Sequence, residues 1–220
     1  NNASDQNVCI GELAMGTGTI AGASDNIAIG YKSLEDITAG VNNTSIGSQA
    51  LANLTDAEDN TAVGYASMVS LTTGDDNTAV GYAALYINNA SNNTGIGHSA
   101  GFYNSSGTNN VYLGHQAGKG VNAKNHSGCV FIGANAGLTA YTGANNIAIG
   151  FGAMDGLPND DDTVGASAEN MFIGVDSGGG TWATAASNYN VAVGNYTMDA
   201  AMNEALYNTA LGYAAMGSLT

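Results

Sequence analysis

The sequence predicts an all-β protein, a parallel β-solenoid of about twelve coils, and three observations predict it. A pattern Asn-x-x-(Ile/Val/Leu)-Gly recurs twelve times in 220 residues, with its Gly at 11, 30, 47, 64, 81, 97, 114, 133, 150, 174, 194 and 212. The register persists beyond each Gly: three residues later the side chain is always small, from Ala14 and Ser33 to Thr197 and Ala215. The next position is Leu or Met in eight repeats and Gly at 101, 118, 137 and 178. Finally, 32 Gly and 28 Asn argue against long helices, while 44% hydrophobic residues argue against disorder.

Each element of the unit has a physical reason. The Asn stands four before Gly in eleven of twelve repeats, as in Asn26/Gly30, Asn43/Gly47, Asn60/Gly64, Asn77/Gly81, Asn93/Gly97, Asn110/Gly114 and Asn146/Gly150, and Cys129 replaces it once. Asn closes turns through its own side chain and tolerates left-handed backbone. Stacked coils place these Asn one above another, where their amides can hydrogen-bond along the axis. Segments such as Ile27-Ala28-Ile29 and Thr61-Ala62-Val63 are β-branched at alternate positions, which suits strands. The residue between is usually small, with Tyr112, Phe131 and Phe172 as exceptions, so the second strand face is expected to be covered as well. Gly permits a corner or a close approach that a Cβ blocks. The stretch after it, such as Tyr65 to Leu71, has apolar residues three apart and allows a single helical turn. Sixteen to twenty residues cannot fold alone, but they suffice for one coil buried by its neighbours. At about 4.8 Å per coil the intervals sum to a rod of roughly 53 Å.

Charge narrows the function classes. Three Lys, no Arg and 18 acids give −15, which excludes neutralisation of nucleic-acid phosphates or binding to anionic membrane surfaces. No apolar run is long enough to insert into a membrane, and Asn1 to Gln6 has neither a basic nor an apolar signal-peptide region. Residues 1–76 are net −9 and 155–220 net −8, whereas 77–154 carry no acid and are net +2. All three His lie in that middle belt. Two readings stand for it: a glycan-tolerant surface lined by His98, Tyr103, Tyr112, His115 and Lys119, or drift within one repeat family. His98 and His115 directly follow their repeat Gly, where other coils carry Tyr31, Tyr65, Tyr82, Phe151 and Tyr213. A ladder of rings is the simpler reading, and a shared metal the other. Acidic clusters at 56–59, 75–76 and 160–162 read as solvated loops and match no calcium motif. Trp182, in an insertion after Gly178-Gly179-Gly180, is either a glycan-stacking residue or a loop anchor. Cys9 and Cys129 are seven coils apart, about 34 Å, too far to pair. The sequence supports no catalytic site, cofactor or metal centre. Asp155 with Asp160 to Asp162 is the one carboxylate group that a glycan hydrolase reading can use.

Asn60-Thr61-Ala62-Val63-Gly64-Tyr65-Ala66-Ser67 and Asn26-Ile27-Ala28-Ile29-Gly30 resemble the head repeat of YadA-like trimeric autotransporter adhesins, and similar runs occur in bacteriophage tail fibres. The resemblance covers nearly the whole chain. It implies a left-handed parallel β-roll, three rolls side by side in a homotrimer, and binding to a cell-surface glycan or protein receptor. It also offers a cover for the small second strand face, namely the other chains. The expectation is therefore one repeat domain over 1–220, a piece of a longer extracellular fibre at a virion or bacterial surface. Competing readings are a spacer filament without a receptor, a glycan-depolymerising tail spike, and ice binding through Thr44, Thr61, Thr78 and Thr94.

Overall fold

A computed structural model describes residues 6–16, 20–121, 125–139, 143–156, 167–180, 186–200 and 204–217. Among them there is no helix. The chain is a parallel β-solenoid. Its strands, in chain order, are β1 (Val8–Ile10), β2 (Ile27–Ile29), β3 (Thr44–Ile46), β4 (Thr61–Val63), β5 (Thr78–Val80), β6 (Thr94–Ile96), β7 (Val111–Leu113), β8 (His126–Ser127), β9 (Val130–Ile132), β10 (Gly143–Ala144), β11 (Ile147–Ile149), β12 (Met171–Ile173), β13 (Val191–Val193) and β14 (Thr209–Leu211). All but β8 and β10 form one twelve-stranded sheet in sequence order, and β8 and β10 pair separately. The register is without slip: Thr44, Thr61, Thr78 and Thr94 are direct partners, as are Ile46, Val63, Val80 and Ile96.

The sheet faces differ from the sequence expectation. The central residue of each strand from β2 onward, excluding the two-residue strands, points into the coil and is buried, whereas the mostly β-branched residues flanking it are half-buried or exposed. The small second face thus needs no other chain to cover it, because it is the interior of the solenoid. It is small because the residue four after Gly fills the same space from across the coil: Leu34, Leu51, Met68 and Leu85 are fully buried. Burying one such side chain stabilises by about 1.5–3 kcal/mol.

Where the strand centre is large, the opposing residue is Gly. A Cβ on Gly118 would run into the Tyr112 ring, one on Gly137 would sit 2.7 Å from Phe131, and one on Gly178 would sit 2.7 Å from Phe172. The coil of β6 has Gly at both places, Gly95 and Gly101, and it is filled by its neighbours. A Cβ at Gly95 would lie 2.7 Å from Leu85, and one at Gly101 would lie 2.5 Å from Tyr112.

The segment after Gly is not a helical turn. Gln49 and Leu51 have φ of 60° and 47°, and Ala66 and Met68 have 51° and 48°. Left-handed backbone costs about 1–2 kcal/mol per residue outside Gly. The neighbouring coils hold it in place. The N–H of Gln49 donates to the Tyr31 carbonyl of the preceding coil at 2.8 Å, and that of Leu51 donates to the Ser67 carbonyl of the following coil at 3.1 Å.

The repeat glycines stand at the corner where each strand ends, not within the strands, and they are half-buried rather than enclosed, apart from Gly11 and Gly212, which are exposed. The sequence left open whether a corner or a close approach requires them, and both do. Gly64 has φ 131°, a region closed to other residues, and any Cβ there would strike the Gly81 backbone. Gly30, Gly47, Gly81, Gly97, Gly114 and Gly150 share that backbone, with φ from 131° to 140°. Each abuts the glycine of the next coil: Gly47 meets Gly64, Gly97 meets Gly114, Gly114 meets Gly133, and Gly150 meets Gly174. The column is therefore backbone packed on backbone, and its role is structural.

The Asn column is a buried hydrogen-bond ladder, interrupted at Cys129. Oδ1 of Asn26 accepts from the backbone N–H of Asn43 at 2.9 Å and from its amide at 3.1 Å. The Asn43 amide also donates to the Ala57 carbonyl of the next coil at 2.8 Å, so one side chain joins three coils. Asn60 and Asn77 repeat the pattern. Asn93 and Asn110 continue it, as does the step from Asn146 to Asn170. At the one repeat without Asn, the Cys129 N–H still donates to Asn110 Oδ1 at 2.9 Å, and the Cys129 sulfur lies 3.6 Å from the Ser127 and Gly143 carbonyls. Both cysteines are unpaired, with Cys9 exposed and Cys129 buried.

Candidate functional site

Columns that carry identical positions in the sequence become physical rows on the surface. The row one after Gly holds a continuous ring stack. Tyr65 and Tyr82 lie 5.3 Å apart at 14°, Tyr82 and His98 4.9 Å apart at 12°, and His98 and His115 5.3 Å apart at 28°. Tyr65 is 49% and Tyr82 53% exposed, and both imidazoles are exposed. The ring-ladder reading of His98 and His115 is thus the observed geometry. The row projects from the glycine corner, since Gly64, Gly81, Gly97 and Gly114 each precede one of its rings. Among the described residues, no group of three or more His, Cys, Asp and Glu is placed to hold a metal ion.

The middle belt divides into two patches. Tyr103 and Lys119 do not join His98 and His115 through any hydrogen bond or ring contact. Tyr103 packs edge-on against Phe102 at 4.6 Å, Phe102 stacks on Tyr86 at 4.7 Å and 3°, and the Tyr103 N–H donates to the Lys119 carbonyl at 2.9 Å. Sequence reasoning overlooked Tyr86 and Phe102. Their shared offset of five from the repeat Gly was the available signal.

Tyr112 does not line the belt. It is fully buried, because its strand-centre position points inward, and its hydroxyl lies 2.8 Å from His126 Nδ1. Phe131 packs against both rings. Burial pushes the Tyr112 phenol well above its usual range and the Cys129 thiol up to about 11. Both groups are therefore structural.

At the other end of the belt, three carboxylates converge on two glycines. Asp155 and Asp199 each place an oxygen 3.3 Å from where a Gly179 Cβ would stand, and Asp176 and Asp155 flank the same point on Gly152. Partial burial, then Asp176 and Asp199, raise Asp155 to about 6. Asp199 is raised by burial and by Asp176. Trp182 and Asp160 to Asp162 lie outside the described residues.

A further surface comes from the strands. The outward residues, mostly β-branched, form two parallel rows, and members such as Ile46 (37% exposed), Ile96 (38%) and Leu113 (43%) leave apolar area uncovered along the sheet. No helix among the described residues is long and apolar enough to cross a membrane. No protein-family model matches the chain, and neither curated proteins nor solved structures give a match.

Proposed function

We propose that this chain is an adhesive, structural fibre segment that works outside the cell. Three copies associate side by side as a homotrimer. The trimer attaches to a cell-surface glycan or protein receptor, as a virion tail fibre or a bacterial adhesin head. The reading assigns the chain no catalytic role.

The observation that carries it is the outward apolar stripe of the twelve-stranded sheet. Apolar rows of this regularity mark interaction surfaces. An identical row on a second copy has the same spacing, so copies aligned side by side match rung for rung. The small-residue face, assigned to that contact on sequence grounds, belongs to the interior, and the β-branched face takes its place. Identical weak sites on three chains then gain strength through avidity.

Native mass spectrometry with light scattering tests the assembly. The expected result is a trimer that falls apart when Val63 and Val80 are both replaced by Asp, with circular dichroism retained. A monomeric unmodified chain would refute the homotrimer. Binding of the assembled protein to immobilised cell-surface glycans and to whole cells tests the attachment role, and complete absence of both leaves the filament reading.

A further inference from the structure

The ring stack has a period of its own, and the period restricts what can lie along it. Tyr65, Tyr82, His98 and His115 repeat at 4.9 to 5.3 Å because the coils beneath them repeat at strand spacing. Stacking uses up the ring faces inside the row. Only the edges meet solvent, so sugar rings cannot stack on them face to face. The edges are instead a line of hydrogen-bonding groups: two phenol hydroxyls followed by two imidazoles, each able to donate and accept.

We propose that this row is a docking track for an extended β-linked pyranose chain, running parallel to the solenoid axis with one sugar per rung. The proposal rests on the attachment reading and names the ligand class and site for it. An extended β-1,4-linked chain advances by close to the rung spacing at every sugar, so one sugar falls on each rung, with alternate sugars turned over and presenting opposite edges to the rings. An α-1,4-linked chain coils and loses phase. Each interior ring is held by two neighbours, so little side-chain freedom is lost on binding. Tyr82, His98 and His115 lie in the segment without acids, so an acidic sugar meets no local carboxylate repulsion there.

Isothermal titration of the assembled protein with chito-oligosaccharides of increasing length tests this, with malto-oligosaccharides as the α-linked control. Affinity is expected to rise by about tenfold or more between the disaccharide and the tetrasaccharide, then level off as the four rungs fill. The malto series should not bind. Replacing both Tyr82 and His98 by Ser should weaken tetrasaccharide binding by about tenfold or more. Ser48 already occupies this row, so the fold accepts Ser there, and thermal melting verifies it. Equal binding of both series, affinity independent of length, or an unchanged double variant would overturn the track. If the variant still attaches to surface glycans, the track fails and the attachment role survives. If no glycan binds the unmodified protein on a broad array and it attaches to no whole cells either, both fail.

Discussion

The coils around β3 and β4 and the coils around β7 and β9 have the same outline and opposite interiors. The first pair places Ser45 and Ala62 at the strand centre and Leu51 and Met68 opposite, whereas the second places Tyr112 and Phe131 at the centre and Gly118 and Gly137 opposite. The two solutions show that each coil is constrained by the volume it encloses rather than by residue identity at either position. A close-packed interior tolerates a change on one side only when the other side answers it. The β6 coil extends the rule across coils, since its two glycines are filled by Leu85 from before and Tyr112 from after.

The most damaging way to break the comparison is to truncate the large partner alone. Phe131→Ala is expected to cost about 3–5 kcal/mol in urea unfolding. For Phe172, a second change should recover much of the loss: Phe172→Ala with Gly178→Leu rebuilds the small-centre solution, and a double-mutant cycle should show favourable coupling of about 1–3 kcal/mol. Independent losses at the two sites would refute the shared-volume account.

Gly64→Ala tests whether the feature common to both kinds of coil is equally strict. It should cost about 3 kcal/mol, because the backbone conformation and the Gly81 approach both oppose a methyl group. Asn60→Ala is next. It strands the backbone N–H of Asn77 in a buried setting, while the Asn77 amide keeps the Asp75 carbonyl, for an expected loss of about 1–3 kcal/mol in the same assay. The aromatic coils contain the one gap in that ladder. Cys129→Asn should close it and raise the stability by about 1 kcal/mol, since the Asn110 acceptor and the Gly143 carbonyl are already in place.

The smallest expected effect lies on the surface and leaves every interior untouched. The Asp155 carboxyl is raised in the folded chain, from an ordinary value of 3.8 to about 6. The folded state therefore holds its proton more tightly than the unfolded state between those values. Stability from this group should rise as pH falls from about 6 to 4 and be lost as pH climbs back through that window. Asp155 is partly solvated, so the effect is about 1 kcal/mol after screening. Asp155→Asn should flatten that part of the stability profile and make the protein more stable at neutral pH.

Much of this was legible in the sequence. The recurrence of Asn and Gly at one offset is enough to establish stacked coils in register, because only a repeated backbone environment demands the same two residues so many times. The ring row was legible for the same reason. The orientation of the strand was not. Alternation states that two faces differ, but it does not say which one the coil encloses, and small residues suit a crowded interior as well as a close interface. The Gly at 118, 137 and 178 and the aromatics at 112, 131 and 172 stand in plain view in the sequence. They read as separate exceptions until the fold brings them together.

The sequence by itself determined the periodicity, the parallel stacking and the Asn column, because each follows from a local requirement repeated at fixed spacing. Only the tertiary structure decided that the β-branched face looks outward, that Tyr112 and His126 are buried partners, and that the post-Gly turn is left-handed. It also decided that Gly47, Gly97, Gly114 and Gly150 serve as corner and close contact at once. The physical reason is that these features depend on what fills the coil from the opposite wall or lies in the coil above. Those neighbours are distant along the chain and come into contact only when the coils close and stack.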